Sequence, residues 1–215
     1  MDLKVLYNLT YGLYVVGAME GERPVGCVIN TCYQVTSEDP KVVISLNKNN
    51  HTLDVIRQSG KFSLSILAED SNPAVIGKFG FFSSRDSDKY ADFGFDVVDG
   101  TPIVKGSFAG RLVAEAIHYV DCGTHVLVVG RLINTVKGEG TPMTYAYYHK
   151  VIKGSAPKSA PTYRPEEEDA PAATATTHRY VCDVCGYVET VEGDLPADYR
   201  CPICKVDRTH FKEQA

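Results

Sequence analysis

The sequence predicts a mainly β protein: an antiparallel barrel with a few helices packed outside it, and a small second module held together by a metal ion. Runs rich in β-branched and aromatic residues recur through residues 1–153 and outnumber the helical patterns. The alternation of strand and helix that builds a doubly wound parallel sheet is missing. Four cysteines stand in two C-x2-C pairs, Cys182/Cys185 and Cys201/Cys204, with fifteen residues between the pairs.

The strands come first. "YGLYVVGA" and "PVGCVINTCYQV" are followed by "KVVISLNK". In "KFSLSILA", Phe62, Leu64 and Ile66 alternate with Lys61, Ser63 and Ser65, which predicts a half-buried strand. "GRLVAEAIHYV" and "THVLVVGRLINTV" complete the set with two long strands. One helix is expected near Thr52–Ser59, with Leu53 and Ile56 at helical spacing. Another opens at "SNPAVIGKFG", where Asn72 caps and Pro73 suits the first turn.

From Gly154 to Thr177 the composition changes: "GSAPKSAPTYRPEEEDAPAATATT" has four prolines and no Val, Ile, Leu, Met or Phe. Such a stretch cannot bury enough apolar surface to offset its ordering entropy, so residues 154–177 read as a flexible, solvated linker and "EEED" as a solvated run. The chain therefore divides into domains 1–153 and 178–215. The formal net charge of -5 argues against a nucleic-acid partner, which needs a basic face. The opening residues lack a signal-peptide pattern, and no apolar run approaches the roughly 20 residues that span a bilayer. Seven cysteines, four of them clustered, read as metal ligation in a reducing cytoplasm, not as disulfides.

A two-residue spacer lets both sulfurs of a pair face one centre, and four thiolates in a tetrahedron select zinc or iron. Thirty-eight residues are too few for a self-sufficient core, so the metal supplies much of the folding energy. The spacing alone fits a zinc ribbon as well as an iron site.

"YVCDVCGYV" and "RCPIC", with Phe211 soon after, resemble the rubredoxin family, which implies iron bound by Cys182, Cys185, Cys201 and Cys204. Gly186 permits a positive φ in the first knuckle, and Tyr180, Tyr187 and Phe211 are expected to form a small aromatic core. The stretch between the pairs is shorter than in ordinary rubredoxins and nearer the rubredoxin-like part of rubrerythrins. Lys205 stands where the second knuckle usually has glycine, at a cost of about 1 kcal/mol if its φ is positive.

In the larger domain, "TYGLYVVGA", "CVINTCYQVTSEDPKVVISLNKNNHTLDVI", "GKFSLSIL", "IGKFGF", "GTHVLVVGRL" and "TYAYYH" look like the flavin reductase-like family, nearest to its FMN-binding branch with archaeal ferric reductase. The two-module arrangement is similar to the high-molecular-weight rubredoxins. The resemblance implies an FMN-binding split β-barrel, a homodimer, and a flavin at the subunit interface. It implies flavin-ring contacts from Asn30, Thr31 and Cys32, and a phosphate seat from Ser45, Leu46, Asn47, Lys48, Asn49 and Thr52 at a strand-to-helix junction. Ser83, Ser84 and Arg85 add a further wall, and His125 stands near flavin and nicotinamide. "TYAYYH" packs over the ring, across the dimer or in an aromatic core.

The expected function is NAD(P)H-dependent electron transfer through FMN to the four-cysteine iron site. From there electrons go to an acceptor protein with a basic rim, which family analogy gives as a flavodiiron protein reducing oxygen or nitric oxide. Two rivals are an FMN and iron carrier without direct NAD(P)H activity, and a zinc-ribbon adaptor that binds proteins.

Overall fold

The computed structural model describes residues 1–163 and 177–214. In chain order the larger domain runs β1 (Tyr14–Glu20), β2 (Arg23–Ile29), β3 (Cys32–Thr36), β4 (Lys41–Asn47), α1 (His51–Ser59), β5 (Lys61–Leu67) and α2 (Pro73–Phe81). There follow the hairpin β6 (Phe95–Val98) and β7 (Thr101–Val104), the long strands β8 (Phe108–Asp121) and β9 (His125–Lys137), and α3 (Tyr145–Lys150).

Seven strands form one antiparallel sheet in the order β2-β1-β5-β8-β9-β4-β3. β2 and β3 are consecutive in the chain yet lie at opposite edges, so the sheet curls until those edges meet at Asn30 and Thr31. "PVGCVINTCYQV", expected as one strand, is therefore two. Ile29 pairs with Tyr14 of β1, whereas Cys32 pairs with Ile44 of β4, and one uninterrupted strand could not serve both. The Ser45 N–H donates to the Thr31 carbonyl at 3.3 Å and carries the β3–β4 ladder back to this corner.

The curled sheet has an apolar interior of Val16, Val25, Ile44, Phe62, Leu64 and Val128, with Leu53 and Ile56 of α1 packed into the same cluster. α1 is well delimited. The Asn50 side chain accepts from the Thr52 N–H at 3.0 Å, and Gly60 closes the helix at φ 72°. A second cluster on the outer side joins Val15 and Leu67 to Ile76 and Phe79 of α2 and to Tyr145 and Tyr148 of α3. α2 is capped by Asn72 with proline in its first turn. "TYAYYH", read as an aromatic patch, is the short helix α3.

β1 is thus buried on both faces, which explains its continuous apolar run. β5 departs from the half-buried expectation: Ser63 and Ser65 are buried as well. The β6–β7 hairpin, unforeseen in the sequence, lies over that side of β5, and the Ser63 hydroxyl donates to the Pro102 carbonyl.

The small module is a three-stranded sheet of β10 (Thr177–Cys182), β11 (Val188–Glu192) and β12 (Phe211–Gln214), in the order β11-β10-β12. Tyr180, Leu195, Ile203 and Phe211 are buried among the cysteines, and Tyr199 meets Phe211 edge-on at 5.2 Å. Tyr187 is only partly buried against them.

The stretch expected to be solvated is packed over its first part. The Tyr148 hydroxyl donates to the Ser155 carbonyl at 3.1 Å, Asn47 donates to the Ser159 carbonyl at 3.2 Å, and the Asn30 amide donates to the Thr162 hydroxyl. Barrel polar groups thus take up backbone carbonyls at Ser155 and Ser159, which composition alone does not reveal. Residues 164–176, with the acidic run, lie outside the described residues. Among the described residues no helix is long and apolar enough to cross a membrane.

Candidate functional site: a cation-lined pocket beside four sulfurs

A cavity of about 300 Å³ opens where β2 and β4 end, between α2 and residues 155–161. Leu13, Ile76 and Phe79 give it an apolar floor, and Tyr145 and Tyr148 of α3 form an aromatic side. Of the residues expected around a flavin, Asn30, Ser45, Leu46, Asn47, Asn49, Ser83, Ser84 and His125 line this cavity. The barrel seam and the β4–α1 junction bring them together from distant parts of the chain.

Thr31, Cys32, Lys48, Thr52 and Arg85 are not among its lining residues. Lys48 turns to Asp121, 2.7 Å away, and holds that carboxyl below its usual range. Thr52 is fully buried within α1. Arg85 clasps the start of α1, donating to Asp54 and to the Asn49 carbonyl, each at 2.9 Å. Ser84 reaches the cavity while its hydroxyl bridges both backbone groups of Gly26, at 2.9 and 3.2 Å. Cys27, not Cys32, is the cysteine at the cavity. Cys27 lines the cavity as a buried neutral thiol, whereas burial pushes the Cys32 thiol up to about 12, so it is no nucleophile at neutral pH.

The buried cation at this cavity is Lys89, which sequence reasoning missed. It is 3% exposed, and its Nζ donates to the carbonyls of Gly26 at 2.9 Å and Phe79 at 3.1 Å. Burial lowers its pKa to about 8. An ammonium has three donors, so one remains beyond these two carbonyls. In the sequence it sits in "SSRDSDKY", a polar stretch with no periodicity to show that its lysine folds inward. At the other wall, His125 Nδ1 meets the Thr124 hydroxyl at 2.9 Å, while its buried Nε2 has no hydrogen-bond partner among the described residues. A spare buried cation donor, an orphaned imidazole nitrogen and aromatic walls fit a flat ring system carrying an anionic tail.

In the small module the four sulfurs lie within 4.8 Å of one another, with Cys182 to Cys204 at 3.6 Å and Cys185 to Cys201 at 3.4 Å. Sulfurs at the corners of a tetrahedron around one ion are about 3.8 Å apart for metal–sulfur bonds of about 2.3 Å, so this cage suits a single ion. Both knuckles close alike. The Gly186 N–H donates to the Cys182 carbonyl at 2.8 Å and the Lys205 N–H to the Cys201 carbonyl at 3.0 Å. Lys205 does adopt a positive φ, 64°.

The two sites share walls. Phe81 lines the cavity and also packs on the module's core, and Ile152 joins it there. Tyr148 lines the cavity within electrostatic reach of Cys185, Cys201 and Cys204, and burial raises its pKa.

An aromatic, cation-bearing pocket in a curled β-sheet, set against a four-thiolate cage, defines an oxidoreductase of the flavoprotein class with a rubredoxin-type iron site. The chain belongs to the flavin reductase like family, whose domain model matches residues 6–155, and residues 180–212 match the rubrerythrin, rubredoxin-like domain. It is 38% identical to the high molecular weight rubredoxin of Moorella thermoacetica, over 99% of this chain and 100% of that one. It is 33% identical to a ferric-chelate reductase (NAD(P)H) of Archaeoglobus fulgidus, over 76% of this chain and 98% of that one. The fold is shared with an FMN-binding protein from Thermus thermophilus, at TM-score 0.59 and 20% identity over 65% of this chain and 83% of that one. It is likewise shared with a flavoredoxin from Methanosarcina acetivorans, at TM-score 0.57 and 19% identity over 66% and 81%.

Proposed function

We propose that the chain takes electrons from NADH or NADPH at an FMN in the barrel cavity and passes them through its four-cysteine iron site to an acceptor protein. The single observation that carries this reading is the shared wall: Phe81 lines the cavity and packs on the metal module's core, and cavity-lining Tyr148 donates to Ser155, whose hydroxyl reaches the Cys185 carbonyl. When bound, FMN accepts a hydride and releases electrons singly, and iron with four thiolates stores one electron at a time.

The chain's residues do the positioning. Lys89, with one donor free, holds the anionic end of the ligand, and Ser83 and Ser84 border it there. Asn30 and Ser45 face the ring edge from the barrel seam, and Leu13, Ile76 and Phe79 exclude water from one side. His125 offers its unpartnered Nε2 toward the nicotinamide side. Cys182, Cys185, Cys201 and Cys204 hold the metal. The A. fulgidus relative is described as an NAD(P)H-dependent ferric-chelate reductase, which supports the nicotinamide reading.

The acceptor is expected to carry a basic rim, because the module from residue 178 onward has five Lys/Arg against seven Asp/Glu before the thiolates are counted. By family analogy that acceptor is a flavodiiron protein. The working form is a cytoplasmic homodimer. One experiment tests the core of the reading: absorption spectra of the purified chain, with metal analysis, before and after NADH or NADPH. Flavin and ferric–thiolate bands that both bleach are expected. Bands that persist, or a colourless zinc protein, would end it.

A further inference from the structure

Helix α2 contains two glycines, Gly77 and Gly80, in contrasting surroundings. A Cβ on Gly80 would meet only the Val28 side chain at 3.7 Å, an ordinary contact. A Cβ on Gly77 would lie 2.5 Å from the Ile203 carbonyl oxygen and 2.7 Å from the Cys204 Cα. Glycine inside a helix costs about 1 kcal/mol relative to alanine, so a bare position there needs a packing reason. At Gly77 that reason is the second knuckle of the metal module, whose backbone sits directly on the helix. Phe81, one turn further along, packs on the module's core.

A second contact lies beside the first knuckle. The Ser155 hydroxyl donates to the Cys185 carbonyl at 2.7 Å, and its side chain covers Gly186, where a Cβ would collide with it. Both knuckles are therefore in contact with the larger domain's side, one on α2 at Gly77 and one on the packed first part of the linker at Ser155. The face presented is the one that carries the cysteines.

We infer that α2 and Ser155 form a docking seat at which the metal module collects its electrons from the cavity of its own chain, and that Gly77 is the residue that keeps the seat open. The inference rests on the electron-transfer reading above and adds the route: same chain, across Phe81 and Tyr148, with the knuckles facing the barrel. A module that approached by its β-sheet face would leave both contacts unused.

The test uses the full, iron-loaded chain. Ferric iron broadens nuclear magnetic resonance signals of nearby groups, so in the isotope-labelled wild type the amides of Gly77, Lys78 and Phe81 should be broadened. In Gly77→Leu they should recover, and iron reduction following flavin reduction should slow about tenfold or more. Leucine favours a helix more than glycine does, so α2 stays formed. Gly80→Ala should leave the broadening in place, and Ser155→Ala should weaken it partly.

Sharp α2 signals in the wild type would overturn the seat, as would unchanged broadening in Gly77→Leu. An iron-reduction rate that rises with protein concentration would overturn the same-chain route. If neither NADH nor NADPH bleaches the wild-type flavin, the electron-transfer reading fails separately, and the broadening still decides whether the seat exists.

Discussion

Gly186 and Lys205 occupy equivalent left-handed positions in the two knuckles, at φ 69° and 64°, and each donates its N–H to the carbonyl of the first cysteine of its pair. Only glycine adopts that conformation without a clash of its Cβ with the backbone. Lys205→Gly should therefore stabilise the metal-loaded module by about 0.5–1 kcal/mol, the relief of strain being partly offset by the freer unfolded chain. Thermal unfolding of the iron-loaded protein measures it. A loss of stability would show that the lysine side chain contributes more than its backbone costs.

The module's core is small enough that the metal dominates its folding. Cys201→Ser removes a ligand that is fully buried, and a four-thiolate ion contributes on the order of 10 kcal/mol. The expected result is loss of metal and collapse of resonances from residues 177–214, with the barrel's resonances intact. Dispersed module signals in the metal-free variant would mean that the apolar cluster suffices alone.

Lys89 ties stability to pH. Its pKa falls from 10.5 unfolded to about 8 folded because the charged form is desolvated. Between those values the unfolded chain binds the extra proton, so the stability of the flavin-free protein should rise as pH climbs from about 8 toward 10.5. The gain is on the order of 3 kcal/mol, and the penalty stands in full below pH 8. Urea unfolding across this range, compared with Lys89→Met, isolates the effect. The variant should lose the upward slope. A slope that survives belongs to another group.

His125 presents a buried nitrogen that no described residue satisfies. His125→Ala should slow reduction of the bound flavin by NAD(P)H on the order of tenfold to a hundredfold, by removing a positioning contact in the cavity. Stopped-flow bleaching of the flavin band is the measurement. An unaffected rate would remove His125 from the nicotinamide side.

Much of the barrel is legible in the residues, because strand period and composition report burial locally. Asn72 and Pro73 announce α2, and "KVVISLNK" announces β4. The break at Asn30–Thr31 is not legible, since β-branched residues continue across it and only pairing to opposite edges divides the run. Ser63 and Ser65 look solvent-facing until the β6–β7 hairpin covers them. At the site, Lys48 and Arg85 are attractive cations by position in the sequence. Asp121 and Asp54 claim them, while Lys89, drawn inward by two carbonyls, carries no local mark.

The amino-acid text alone determined a mainly β barrel and a four-thiolate cage, because spacing and side-chain period are short-range properties that survive without knowledge of the rest. Only the tertiary structure decided which cation faces the cavity, and that the cage rests on α2 instead of swinging free. Those outcomes depend on contacts between residues far apart in the chain, Lys89 with Gly26 and Gly77 with Ile203, and no local pattern encodes them.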